Sequence, residues 1–290
     1  MSSEAVFGKT ASELVSVILP TYNRLTWLPA SVASVQAQTG VDWELVLVDD
    51  GSTDGTAEWV RSLAEPRFRY IPIEHIGNIA SVFNAGLDAA RGEWVAFLAS
   101  DDLWPKDKLV RQFARLKDRP EAEWCYGDYR IINEQGAPIP RPHGGPWHPR
   151  DGWIAEAILR RETVVALQTL LMKTGRARQL RFDPATHLSE DYDFALRLAT
   201  LARGSALNEP LADIRVHSNR TTTLTGGFKG HVAKAIVFKK AMKALPTSEL
   251  RQLAAARYRE HVRTFMKIGL RRGAIRDLIS AWRRLRGAAE

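Results

Sequence analysis

A single cysteine in 290 residues, Cys125, excludes an internal disulfide and any zinc site built from several thiolates. Such sparse cysteine fits a reducing compartment. Long apolar runs are missing too: the best candidate, residues 164–172, is interrupted by Gln168 and Thr169 and falls well short of the roughly 18 residues a membrane span needs. The opening MSSEAVFGKTASEL lacks the basic flank and apolar core of a secretory leader, so the expectation is a soluble, cytoplasmic protein. Apolar and aromatic residues are plentiful: 45% of residues are hydrophobic, with nine Trp and ten Phe, enough for one large domain or a domain with an appendage. The net charge of +8 sits at one end. Residues 251–290 hold eleven Lys and Arg against three Asp and Glu, whereas residues 1–250 are neutral.

Hydrophobic periodicity organises the first hundred residues. The runs VSVILP (15–20), ELVLV (44–48), 68–73 and 93–99 read as buried strands. Between them, Leu25, Leu28, Val32 and Val35, then Trp59, Val60 and Leu63, then Val82, Phe83, Leu87 and Ala90 follow helical spacing, and Leu109, Phe113 and Leu116 continue it. Asp54 is placed to cap the second of these helices. Four strand–helix repeats predict an α/β fold with a doubly wound, mostly parallel sheet. Beyond residue 120 the expectation is a strand or bent pair over 123–132, a Pro/Gly-rich loop over 134–152, a short helix over 153–159, a strand over 163–173, a helix capped by Ser189 and a last strand over 211–217. The tail reads as helical, with one apolar stripe through Leu250, Leu253, Val262, Phe265 and Met266. A second stripe runs through Ile275, Leu278, Ile279, Trp282 and Leu285, and Arg276, Arg283, Arg284 and Arg286 fall away from it.

Three acidic clusters carry chemistry: Asp49/Asp50, Asp101/Asp102 and Glu190/Asp191. The first two follow parallel strands and so share the carboxyl edge of one sheet, where open α/β folds bind ligands. One carboxylate there can accept hydrogen bonds from a base or ribose, and another can hold Mg2+ or Mn2+ against a diphosphate. The third cluster opens a helix, whose N-terminus favours the ionised carboxylate and keeps it available as a general base. Solvated turns and helix caps are the competing reading of each cluster. Gln168 and Thr169 either line a cleft or face solvent, and His143 and His148 lie in the Pro/Gly loop without an assigned task.

The segments VSVILPTYNR, ELVLVDDGSTDGT, NIASVFNAGLDAARGEWVAFLASDDLWPKDKL and LSEDYDFALRLA, in that order over roughly 14–220, resemble the successive motifs of glycosyltransferase family 2. The resemblance implies a GT-A fold and an inverting, metal-dependent transfer from a nucleotide-diphosphate sugar to a saccharide or lipid-linked saccharide. It implies that Pro20 and Tyr22 contact the nucleobase, that Asp50 hydrogen-bonds it with Asp49 in support, and that Asn78 and Asn84 help close the nucleotide pocket. Asp101 would touch ribose or sugar, and Asp102, with His217, would ligate Mn2+ or Mg2+. Asp191 would be the base and Glu190 its partner. Two positions depart from the family pattern: Ala99 stands where many members carry a further acid, and Phe83 where an arginine is common.

The expected organisation is an N-terminal extension over 1–13 and a glycosyltransferase domain over 14–225, split into a nucleotide-sugar half (14–102) and an acceptor half (103–225). A basic helical region over 226–290 follows. That region is a solvated hairpin or a peripheral contact with anionic lipid at the inner face of the membrane. Nucleic acid is set aside because no recognised module accompanies the charge. Two other functions stay open: a sugar-nucleotide nucleotidyltransferase, which would want a glycine-rich loop where Pro20-Thr21-Tyr22-Asn23-Arg24 stands, and a non-catalytic sugar-nucleotide binder or scaffold.

Overall fold

In the computed structural model, residues 13–141, 148–217 and 227–288 are described. His143 and residues 218–220 lie outside them. The chain opens with β1 (Val15–Thr21), α1 (Leu28–Gln36), β2 (Trp43–Asp49), α2 (Thr56–Ser62), β3 (Phe68–Pro72), α3 (Ile79–Ala89), β4 (Trp94–Phe97) and α4 (Lys108–Lys117). These are the four repeats that the apolar spacing predicts. β1, β2 and β4 are buried along their whole length, as parallel strands must be when helices cover both faces. Successive side chains alternate between the two layers. Ile18, Val95 and Phe97 join Phe83 and Leu87 on one face, and Val17, Leu19, Ala96 and Leu98 join Leu28, Val32 and Leu109 on the other. Close approach of α3 to the sheet needs Gly86, where a Cβ would come within 2.4 Å of Ile18 Cγ2.

β5 (Trp124–Ile132), β6 (Pro138–Ile139), α5 (Ala155–Arg160), β7 (Leu171–Lys173), α6 (Thr174–Leu180), α7 (Glu190–Leu201) and β8 (Gly204–Arg215) complete the sheet region. The strand order is β3-β2-β1-β4-β7-β5-β6, with β8 paired to β5. β1 pairs in parallel with both β2 and β4, so the strand order reverses across β1 and the crevice of a doubly wound sheet opens there. β7 runs antiparallel between β4 and β5, while β8 is parallel to β5.

Several expectations change. The strand expected over 163–173 is only the three residues of β7; before it the chain turns through a 3-10 segment, Leu167–Thr169, because Thr169 bonds back to the Ala166 carbonyl through both N (2.9 Å) and Oγ1 (2.7 Å). α6 was not expected. Gly55, in left-handed conformation, is the N-cap of α2. Asp54, one residue earlier, still accepts from Thr56 N and Oγ1, and its other oxygen accepts from Leu25 N. The Pro/Gly stretch carries β6.

Three helices, α8 (Phe228–Ala244), α9 (Ser248–Arg271) and α10 (Ile275–Gly287), follow. Phe238, Ala241, Leu245 and Ala254 share the core cluster of Phe97, Trp124 and Phe194, so α8 and the start of α9 are built into the same core as the sheet. α10 packs on α8 and α9 through Leu278, Ala281 and Leu285. The stripe expected on α10 is split: those three are buried, while Ile275, Ile279 and Trp282 are exposed. No described helix is long and apolar enough to cross a membrane.

Candidate active site

The crevice at the carboxyl edge of β1, β2 and β4 is a cleft of about 460 Å3. It is lined by Pro20 and Tyr22 after β1, Asp50 after β2, Asn78 before α3, Asp101 and Asp102 after β4, and Glu190 and Asp191 at the start of α7. Eight of the eleven residues expected to act thus border one cavity, although they come from segments between Pro20 and Asp191. The other three do not border it. Asp49 points behind the sheet edge and accepts from Ser52 N (2.9 Å) and Tyr70 Oη (2.6 Å); burial, then this bond, raises the Tyr70 phenol well above its ordinary range. Asn84 is buried and exchanges two hydrogen bonds with the Phe182 backbone (2.8 and 2.9 Å), which pins α3 to the segment before α7. Their contribution is to hold the walls. The third, His217, is described below.

Asp50 is one of the most heavily bonded groups in the cleft. Its carboxylate accepts from Ile76 N (2.7 Å) and Gly77 N (3.0 Å). His75 Nδ1 stands 2.9 Å from the Asp50 carbonyl and 3.1 Å from its carboxylate. Both neighbours are acceptors, so Nδ1 is the protonated nitrogen. The His75 ring stacks on Tyr22, with centroids 4.1 Å apart. Gly51, at φ +77°, allows this turn, and a Cβ there would meet His75 at 3.1 Å. The Asp50 carboxylate therefore orders residues 75–77 and, through them, an aromatic platform. Sequence reasoning missed His75; an isolated histidine in a glycine turn gives no signal. Asn78 caps α3 by accepting from Ala80 N (3.1 Å) and donates to the Pro184 carbonyl (3.0 Å), joining the two walls of the cleft.

The Asp101/Asp102 pair is fixed by β8. A bridge between Leu103 and Asp213 brings the strand alongside. Arg215 N then donates to Asp102 Oδ1 (2.8 Å) and Arg215 Nε to the Asp101 carbonyl (3.0 Å). Gln168 Nε2 donates to Asp102 Oδ2 (2.6 Å) and Trp104 Nε1 to the Gln168 carbonyl (2.8 Å). Gln168 thus lines the cleft and Thr169 is buried structure, which resolves the two readings of that polar pair. His217 Nε2 lies 2.9 Å from Asp101 Oδ2, and its buried ring stacks against Trp27. His217 does not border the cleft; through Nε2 it reaches the acidic pair expected to hold the ion, from the side away from the cavity. Its partner is Asp101. Trp104 is buried against the Lys108 ammonium, 4.1 Å from the ring, and does not reach the cleft.

On the opposite wall, Glu190 Oε2 is shielded from solvent without a hydrogen-bond partner among the described residues. Burial, and then the charge of Asp191, push the Glu190 carboxyl up to about 8. Asp191 is exposed, and its Oδ1 accepts from Tyr192 N (2.7 Å). Ser189 precedes α7 as expected but donates to the Leu188 carbonyl instead of capping. His187, also unforeseen, lines this wall; burial, then the Arg284 guanidinium, hold it below the ordinary imidazole range, and its buried Nδ1 has no partner among the described residues. Phe83 borders the cleft and stacks on Phe182 at 4.7 Å, so the departure from the family pattern noted at this position places an apolar ring at the cleft wall.

Among the described residues no three His, Cys, Asp or Glu side chains cluster so as to hold an ion unaided. The donor chemistry nevertheless fits a divalent cation shared with a diphosphate. Asp101 and Asp102 are hard-oxygen ligands side by side in the cleft, and such ions take one or two carboxylates plus substrate phosphates.

The family model described as glycosyl transferase family 2 matches residues 16–188, more than half of the chain. The chain belongs to glycosyl transferase family 2. It is 30% identical over 211 residues to a putative teichuronic acid biosynthesis glycosyltransferase, TuaG, of Bacillus subtilis, covering 71% of this chain and 80% of that one. It is 38% identical over 120 residues to the Escherichia coli UDP-Glc:alpha-D-GlcNAc-diphosphoundecaprenol beta-1,3-glucosyltransferase WfgD, covering 41% of this chain and 47% of that one. Among solved structures, S. aureus TarS 1–349 in complex with UDP-GlcNAc superposes with a TM-score of 0.68 at 19% identity, covering 85% of this chain and 72% of that one. This likeness establishes the GT-A fold, and the family establishes a glycosyltransferase.

Proposed function

We propose that this family 2 enzyme transfers one sugar, with inversion, from a nucleotide-diphosphate donor to a hydroxyl of a saccharide acceptor, free or lipid-linked, in surface polysaccharide or glycolipid assembly. One observation carries the reading: carboxylates from the ends of β2 and β4 and from the start of α7 border a single cleft beside a stacked aromatic pair. The pathway draws support from TuaG and WfgD, whose names place them in teichuronic acid biosynthesis and on a diphosphoundecaprenol-linked sugar.

In this reading the nucleobase packs against Tyr22 beside the loop that Asp50 orders, and Pro20 borders the same pocket. Asp101 and Asp102 would hold Mg2+ or Mn2+, which when bound would neutralise charge on the departing diphosphate. His217 and Arg215 fix Asp101 from behind. Asp191, accessible at the mouth of the cleft, accepts the proton of the acceptor hydroxyl as that oxygen attacks the anomeric carbon. Glu190, protonated at neutral pH, donates a hydrogen bond to a sugar hydroxyl and leaves Asp191 as the proton acceptor. Separating the affinities of two adjacent carboxyls is how one site keeps an acid and a base together.

The test is a thermal-shift screen of UDP-, GDP- and dTDP-sugars with and without Mn2+. A ligand at about a hundred times its Kd stabilises the folded state by about 2.7 kcal/mol. Selective, Mn2+-dependent stabilisation by one donor is expected. Indifference to every donor, with metal present, would overturn the proposal.

A further inference from the structure

α10 is apolar on two flanks. Leu278, Ala281 and Leu285 pack inward, and Leu278 sits so close on α9 that a Cβ at Gly269 would meet it at 2.6 Å. Ile275, Ile279 and Trp282, spaced i, i+4 and i+7, lie along a second flank and stay 66%, 49% and 38% exposed. Leu270, at the end of α9, is 65% exposed beside the same turn. Four large apolar side chains left open on one hairpin of helices mark a contact surface.

The surrounding charge identifies the partner. Arg271 and Arg272 fill the turn, Arg276 and Arg283 flank the exposed stripe, and Arg286 lies one turn beyond Trp282 on the same line. All five are exposed, and none forms an ion pair among the described residues. Asp277 is the one acid on α10. Two copies meeting through this face would oppose like charges, whereas anionic head groups would neutralise them. Arginine stems reach along an apolar surface while their heads stay at the polar boundary, and tryptophan favours that same depth.

The position of α10 relates the surface to the cleft. Lys240 on α8 pairs with Asp183, just before the segment leading to His187, and the adjacent Lys239 donates to the Leu285 carbonyl of α10. The end of α10 therefore lies beside the wall that carries His187, Glu190 and Asp191.

We propose that the α9–α10 turn and the exposed flank of α10 dock on an anionic lipid bilayer, with the Glu190/Asp191 wall of the cleft facing the head-group layer. The orientation toward a lipid-linked acceptor rests on the proposed function; docking itself does not. The experiment is cosedimentation of the full chain with vesicles of phosphatidylcholine alone or mixed with phosphatidylglycerol, at low and high salt. Binding to the anionic vesicles alone is expected, weakening as salt shortens the screening length from roughly 10 Å at 0.1 M to 3 Å at 1 M. Replacing Arg276, Arg283 and Arg286 by Ser should lower partitioning about a hundredfold, each basic residue near such a surface being worth about fivefold. Ile275→Ser with Ile279→Ser should lower it about tenfold. These side chains are exposed, so melting temperature and donor-induced thermal shift should be unchanged. Absence of cosedimentation, equal binding by the arginine variant, or a solution dimer that the isoleucine variant abolishes would overturn docking. Vesicle binding without transfer to a lipid-linked acceptor would uphold the surface and refute the acceptor. Turnover of a water-soluble acceptor by a protein that ignores vesicles would refute the surface and leave the proposed sugar transfer standing.

Discussion

Replacing Glu190 by Gln tests the division of labour between the two carboxyls of α7. In the folded protein Glu190 keeps its proton until about pH 8, against an ordinary value of 4.5, first because of burial and then because of Asp191. In the unfolded chain it releases the proton near 4.5. Between these pH values the folded state binds more protons than the unfolded state, so stability falls as pH rises through the window and is flat on either side. For an isolated group the full displacement corresponds to an upper bound of about 5 kcal/mol. Water entering the cleft relieves part of it, and about 2–5 kcal/mol is expected. Gln fills the same volume and does not titrate. The variant should match the parent near pH 5 and exceed its stability increasingly toward pH 8, by up to about 10 °C in melting temperature for a chain of this size. Turnover, followed as nucleotide released from the selected donor, should persist in Glu190→Gln and lose its decline above pH 8, whereas Asp191→Asn should lose about 10²–10⁴-fold. Parallel melting curves for parent and Glu190→Gln from pH 5 to 8 would refute the assignment of Glu190 as a neutral group. Full activity in Asp191→Asn would refute the base.

Asp50→Ala removes the acceptor for Ile76 N, Gly77 N and His75; donor affinity measured by calorimetry should fall at least tenfold, in line with about 1.5–3 kcal/mol for charged hydrogen bonds. Asp102→Asn should raise the Mn2+ concentration needed for half-maximal turnover. Lys108 is fully buried, bonds Gln112 Oε1 at 2.6 Å, and is pushed by burial from 10.5 down to about 7. The unfolded chain binds more protons between these values, so stability should rise with pH across them. Lys108→Met should flatten that rise in a pH series of urea titrations.

The parallel half of the sheet was legible because its central strands are buried on both faces, so Val15–Thr21 and Trp43–Asp49 are mostly apolar, and the second runs straight into the Asp49/Asp50 pair. Strand ends at one edge place Asp50, Asp101 and Asp102 together without knowledge of side-chain contacts. Residues that act through a neighbour gave no such signal. His75 matters because it bridges Tyr22 and Asp50, and Gln168 because a 3-10 turn aims it at Asp102. Asp49 and Asn84 illustrate the converse: both stand in motifs of the family, yet their polar atoms are used by Tyr70, Ser52 and the Phe182 backbone. Periodicity failed at α10 for a related reason. It measures how wide an apolar stripe is, not how much of that stripe the rest of the chain covers.

The tail changes meaning once its packing is known. A boundary near 225 treats the basic helices as an addition to a finished enzyme, but Phe238 of α8 meets the ring of Tyr192, one residue after Asp191, at 5.5 Å. Lys234, one helical turn earlier on α8, is partly desolvated by burial and feels the Asp191 charge. The same helix pairs with Asp183 through Lys240. The wall bearing the proposed base is therefore backed by α8, which in turn carries α10 and its exposed stripe. A carboxylate held against a rigid helix keeps its aim at the cleft, and a helix anchored in the core can present a fixed surface to a bilayer. The two roles proposed for this half of the molecule thus share one support, α8, which meets Tyr192 of α7, pairs with Asp183 and holds the end of α10.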